Sequence, residues 1–116
     1  MKVKFRQGKG TCSGEGEEWG AIEEAGGTIT FEGAVITPNP CYRLSLRQTV
    51  SHDHIELRVL KHSTKQICIQ CIARIPFEGK VYDVSGEKTI SLLIGEKEVS
   101  RKDLKIVKEE GETEVS

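Results

Sequence analysis

Leucine and alanine are scarce in this chain of 116 residues, 11 together against 28 isoleucines, valines and threonines. β-Branched side chains are stiff at χ1 and pack well on a pleated surface, so the imbalance favours strands over helices. Aromatic residues make up 5%, too few for a stacking platform for nucleic-acid bases. Neither charge sign is in excess: 17 Lys and Arg face 18 Asp and Glu, for a net charge of −1. No overall positive field therefore draws in nucleic acid or an anionic membrane. No run of about 18 apolar residues is present, and no apolar export-signal core follows Met1, so neither a membrane span nor an uncleaved signal is expected. Asn and Met occur once each, whereas Glu and Lys number 15 and 11, a bias of thermophile character. That bias bears on location, because cytoplasmic disulfides are rare in mesophiles but genuine in hyperthermophiles. The expected location is cytoplasmic if the source is a thermophile, and extracytoplasmic otherwise if a disulfide is present.

The length suits one domain. Residues 1–27 hold seven of the twelve glycines and almost no alternation. They read as a glycine-rich segment that packs on the body or frays from it. Within it Met1–Phe5 suits a short strand, Gly8–Gly16 a loop, and Glu17–Ala25 one or two helical turns, with Trp19 and Ile22 docking on the body. From Thr28 a period of two takes over. Ile29, Phe31 and Gly33 share one parity, as do Leu44 and Leu46, then Ile55, Leu57 and Val59, then Ile67, Ile69, Cys71, Ala73 and Ile75. Further strands are expected at Lys80–Val84, Thr89–Ile94, Lys97–Val99 and Leu104–Lys108. Short polar connections at 51–53, 62–65, 85–87 and 95–96 separate them, and Pro38, Pro40 and Pro76 are read as lying between strands. The pattern predicts an all-β domain over 28–108, an antiparallel β-sandwich of seven or eight strands, with a small β-barrel as the alternative. Residues 109–116 form an acidic tail.

Four cysteines are the most specific chemical feature. Cys68-Ile69-Gln70-Cys71 has the spacing of zinc and redox motifs. Both need the sulfurs to converge on a turn or a helix start. In an extended, β-branched run, residues three apart point to opposite faces. A buried apolar Cys71 is therefore expected, with Cys68 facing the other way. In an up-down-up meander Cys41 and Cys68 share one end, where a disulfide would close a loop of about 28 residues and contribute about 3 kcal/mol. Strands separated by a third lie roughly 9.6 Å apart, beyond the roughly 7 Å a disulfide spans, so the bond requires neighbouring or facing strands. Cys12 is left as the odd thiol or as the partner of Cys71.

His52-Asp53-His54 offers two imidazoles and a carboxylate on one turn, although solvated turn residues have the same appearance. His62 lies roughly 26 Å from His54 along an intervening strand and cannot join them. No catalytic set of Ser, His and Asp or of paired carboxylates can be placed. Gly8-Lys9-Gly10-Thr11 lacks the spacing of a phosphate loop. Arg43, Arg47, Arg58 and Arg74 suit a solvated face laced with Glu56 rather than a nucleic-acid stripe. Phe77 and Glu78, between Pro76 and Gly79, read as a connection near the 51–53 turn, so His52, Asp53, His54, Phe77 and Glu78 form a candidate binding-loop cluster. The competing expectation is that Phe77 plugs the core.

Thr37-Pro38-Asn39-Pro40-Cys41-Tyr42-Arg43-Leu44, Cys68-Ile69-Gln70 and the later Pro76 step resemble a group of small prokaryotic β-sandwich domains. The resemblance spans about Ile29 to Ile94. It implies an immunoglobulin-like sandwich and a Cys41–Cys68 pair, and it implies no activity; Cys12 and Cys71 stand outside its pattern. In size and class alone the chain is similar to small β-sandwich protease inhibitors. Together these features lead to the expectation of a non-enzymatic binding or structural domain, without catalytic residues, metal or cofactor, that contacts protein or peptide through loops at one end. The alternative is a small metal- or thiol-dependent protein using the CxxC and the histidines.

Overall fold

The computed structural model describes residues 2–12 and 16–106; the acidic tail lies outside them. Nine strands follow in order: β1 (Lys2–Gln7), β2 (Thr11–Cys12), β3 (Trp19–Ala25), β4 (Thr28–Thr37), β5 (Arg43–Val50), β6 (His54–His62), β7 (Ala73–Tyr82), β8 (Gly86–Ile94) and β9 (Lys97–Ile106). They form two sheets. In the first, β1 and β2 share one edge of β7, followed by β4 and then β3; in the second the order is β5-β6-β8-β9. All pairings are antiparallel except β6 with β8, which run parallel because the chain crosses to the other sheet as β7 between them. The fold is a β-sandwich and not a closed barrel.

The two-residue period places the core between the sheets. Ile29, Phe31 and Val35 of β4, with Ile75, Phe77 and Val81 of β7, face Ile55, Leu57, Val59, Ile90, Leu92 and Ile94 of the second sheet. Each such side chain contributes roughly 1.5–3 kcal/mol by leaving water.

Four sequence expectations are corrected. Within residues 17–25, read as helical turns, Trp19–Ala25 form the strand β3. Its inward positions are Gly20 and Ile22, and a Cβ at Gly20 would lie 2.6 Å from Leu92 and 2.7 Å from Val99. Close packing between the layers requires glycine there, and the glycine erased the alternation. Next, the glycine pair at 26–27 is not the end of a loose segment: with φ of 59° and 87° it is the two-residue hairpin turn joining β3 to β4. Third, Pro76, Phe77, Glu78 and Gly79 lie inside β7 rather than in a connection. The Pro76 carbonyl accepts the Gly8 N–H at 2.8 Å, so its donorless nitrogen faces the break between β1 and β2, where no ladder bond is lost. Gly79 sits between Phe5 and Phe31 in the register, and any Cβ would enter the Phe31 ring. Phe77 is 3% exposed and belongs to the core, in agreement with the expectation that it plugs the core rather than lining a binding loop. Finally, residues 67–72, read as the start of a strand, are outside all strands; β7 begins at Ala73.

Candidate functional site

The strand directions put the connections in two groups. At one end lie Gly26–Gly27, Ser51–Asp53 and the link before β8; at the other lie β2, residues 38–42, residues 63–72 and the 95–96 turn. The second end carries the chemistry.

Residues 63–72 leave β6 in one sheet and enter β7 in the other. Ten residues make this crossing without a glycine or a proline. Among the described residues, no hydrogen bond outside the strands involves this segment. Two covalent bonds hold it. Cys68 is joined to Cys41 with a Cα–Cα distance of 6.2 Å, and Cys71 to Cys12 at 5.6 Å. Cys41 precedes β5 and Cys68 lies in the approach to β7, so the first bond runs between the layers. Meeting across the layers removes the spacing obstacle that strands separated by a third within one sheet would pose. The second bond ties the loop to β2 on the β7 edge. No free cysteine remains. Cys71 is half-buried and bonded, not the buried apolar thiol expected from its parity, because it lies outside β7.

The Cys41 anchor is itself rigid. Thr37 Oγ1 donates to the Asn39 carbonyl at 2.6 Å, and Asn39 Oδ1 accepts the Cys41 N–H at 2.9 Å, a side-chain turn between two prolines. With Cys68 drawn toward the body, the adjacent side chains are turned outward. Ile67 is fully exposed, Ile69 is 67% exposed and Ile72 is 48% exposed. A solvent-facing apolar crest of this kind on a disulfide-fastened loop is the strongest interaction feature of the described surface.

A groove of about 810 Å³ runs beside the loop, between the free edges of β1 and β5, lined among others by Phe5, Gln7, Pro40, Tyr42, Thr64 and Gln66. The Gln7 carboxamide spans the sheets here. Its Oε1 accepts the Leu44 N–H at 2.7 Å and its Nε2 donates to the Tyr42 carbonyl at 3.2 Å, imitating one rung of a strand. A similar substitution closes the opposite flank. Where β3 has not yet begun, Glu18 Oε2 accepts the Ile36 N–H at 3.1 Å, while Lys61 Nζ donates to the Ile36 carbonyl at 3.1 Å and pairs with Glu18 at 2.5 Å.

The other residues singled out in the sequence do not assemble. His52 and Asp53 are exposed at the far end, and His54 opens β6. Their interactions are through backbone carbonyls: His52 to Lys88 Nζ at 2.7 Å, Asp53 to the Thr89 N–H at 2.9 Å, and His54 to the Ser51 N–H at 2.8 Å. His62 is at the disulfide end, with Nε2 2.7 Å from Ser45 Oγ. Glu78 pairs with Arg6 on the outer face at 3.1 Å, remote from His52 and Asp53. The structure therefore does not bring His52, Asp53, His54, Phe77 and Glu78 together as one cluster. Arg58 is laced to Glu56 at 3.0 Å, and Arg74 lies in the other sheet from Arg43, Arg47 and Arg58. With every cysteine sulfur in an S–S bond, none is available as a thiolate ligand or nucleophile.

The sequence reading missed Ile67, Ile69 and Ile72 as surface residues. One signal was present: Ile72 breaks the parity of Ile67 and Ile69, so the run is apolar on both faces, which an ordinary half-buried strand is not. Compared with known proteins, the chain matches no family model, no curated protein and no solved structure.

Proposed function

We propose that this protein is a recognition domain that docks the loop 63–72 into an apolar cleft of another protein. The observation that carries the reading is the pairing of opposites in that loop: three outward isoleucines on a segment held by two disulfides. Exposed aliphatic side chains stabilise nothing in the isolated fold, whereas they contribute roughly 1.5–3 kcal/mol each once a partner covers them. The two bonds lower the ordering cost that a ten-residue connection would otherwise meet on docking. The disulfides also support an oxidising setting, outside a reducing cytoplasm. The balanced net charge supports a protein rather than a nucleic-acid or anionic-lipid partner.

A photo-crosslinking residue at position 67 or 69, introduced in the source cells, tests the reading. A discrete adduct is expected from both positions, absent from position 52 at the opposite end and competed away by wild-type protein but not by the Ile67→Ser/Ile69→Ser variant. Identical adducts from position 52, or competition by the variant, would exclude the loop as the docking element.

A further inference from the structure

Cys68 and Cys71 do more than stiffen the loop. They stand on either side of Ile69-Gln70, and each is bonded to a different part of the body: Cys68 to the connection before β5, Cys71 to β2. Any cut between the two cysteines therefore leaves both new ends fastened. Within that window the middle bond is Ile69–Gln70. Ile69 is exposed, Ile67 is exposed at the same parity, and the intervening Cys68 is tied inward. No hydrogen bond of the described residues occupies the loop backbone. A substrate-like loop is offered to a cleft in this way, outside any strand, with Ile67, Ile69 and Gln70 outward and only the bonded cysteines turned toward the body.

We propose that the partner is an endopeptidase preferring an aliphatic residue on the acyl side of the cut, and that the loop occupies its cleft as a substrate-like inhibitor with Ile69–Gln70 as the reactive bond. The proposal rests on the recognition reading above and names its partner. In the first half of the reaction the enzyme's nucleophilic oxygen or sulfur attacks the Ile69 carbonyl carbon. The C–N bond breaks, the Gln70 nitrogen takes up a proton as a free amine, and the Ile69 acyl group is held on the enzyme. In an ordinary substrate that amine diffuses away and water completes hydrolysis. Here the Cys71–Cys12 bond retains it beside the acyl group while Cys68–Cys41 retains the acyl side. The amine competes as an intramolecular nucleophile, at the mM effective concentration typical of short tethers. Its attack re-forms the amide, returns the proton and releases the enzyme's nucleophile. The product of cleavage thus becomes a reactant again, and the enzyme stays occupied.

The test uses the oxidised full chain with an elastase-type serine endopeptidase, and a chymotrypsin-type enzyme for comparison, each followed with its chromogenic substrate. The expected result is competitive inhibition of the elastase-type enzyme, with a slow single cut at Ile69–Gln70 whose fragments separate only after reduction. Ile69→Glu should weaken inhibition about 100-fold, whereas Lys102→Glu should leave it unchanged. Cys12→Ser/Cys71→Ser, which frees the amine side, should turn the inhibitor into a substrate that is hydrolysed to completion. Absence of inhibition, digestion at many bonds of the wild type, or an unaffected Ile69→Glu variant would each overturn the proposal. If inhibition is absent while cross-links from positions 67 and 69 persist, the endopeptidase assignment fails and the recognition reading stands. If both are absent, both fail.

Discussion

At one end of the sandwich the connections are two or three residues long and are held by backbone hydrogen bonds: Ser51 to His54, Asp53 to Thr89, Gly27 to Val84. At the other, connections of five and ten residues cross between the layers and are held by Cys41–Cys68 and Cys12–Cys71. The difference teaches what covalent fastening permits. A turn held by hydrogen bonds must satisfy a narrow set of backbone angles, which is why Gly26 and Gly27 occupy theirs at positive φ. A loop held through sulfur needs no particular backbone angles and can carry side chains chosen for another purpose. The three exposed isoleucines stand where this freedom exists.

The comparison breaks most readily at the disulfides. In the chain-entropy view, loss of Cys41–Cys68 lowers stability by about 3.5 kcal/mol and loss of Cys12–Cys71 by about 4 kcal/mol. Serine replacement of either member of a pair should have nearly the same effect as replacing both, read by denaturant unfolding under oxidising conditions. Additive losses would mean that the two sulfurs act separately. A smaller effect is expected at the flank of the same end. Lys61→Met removes the donor to the Ile36 carbonyl and the partner of Glu18, whose side chain is 19% exposed, and should cost about 1–2 kcal/mol by the same measurement. At the far end Thr89→Val removes one exposed hydroxyl bond to Asp103 and should cost about 0.5 kcal/mol. The smallest changes are expected from His52→Ala/His54→Ala and from Ile67→Ser/Ile69→Ser, each within about 0.5 kcal/mol of wild type. A large loss from the histidine pair would show that the hydrogen-bonded end depends on side chains after all. A large loss from the isoleucine pair would show that the crest is structural.

Much of the sandwich was legible because β4, β6 and β8 bury a face against the other layer, and that asymmetry writes itself as alternation. Where the fold departs from half-burial, the pattern misleads. β3 packs so tightly that glycine replaces an apolar residue at position 20. β7 contains Pro76 and Gly79, ordinarily punctuation, for reasons supplied by other strands: the gap between β1 and β2, and the rings of Phe5 and Phe31. The loop 63–72 failed in the reverse sense, since Ile67, Cys68, Ile69 and Ile72 have strand propensity yet lie in a crossing between the layers that is bonded through sulfur to distant residues. The shared end of Cys41 and Cys68 followed from strand direction. What decided the candidate site was exposure, a three-dimensional quantity that no local spacing encodes.

The parallel seam between β6 and β8 has a consequence for assembly. The hairpins β5–β6 and β8–β9 are each made of near neighbours in the chain, and either can zip up early. They meet along one line, and the chain that joins them, β7, is the centre of the opposite layer. The second layer thus closes only after its own linker has been claimed by the first, so that β1, β2 and β4 on one side and the seam on the other must come together in one event. Such non-local pairing makes for slow, all-or-none folding. Deletion of β1 or of β9 should therefore abolish the whole structure rather than leave half of it standing.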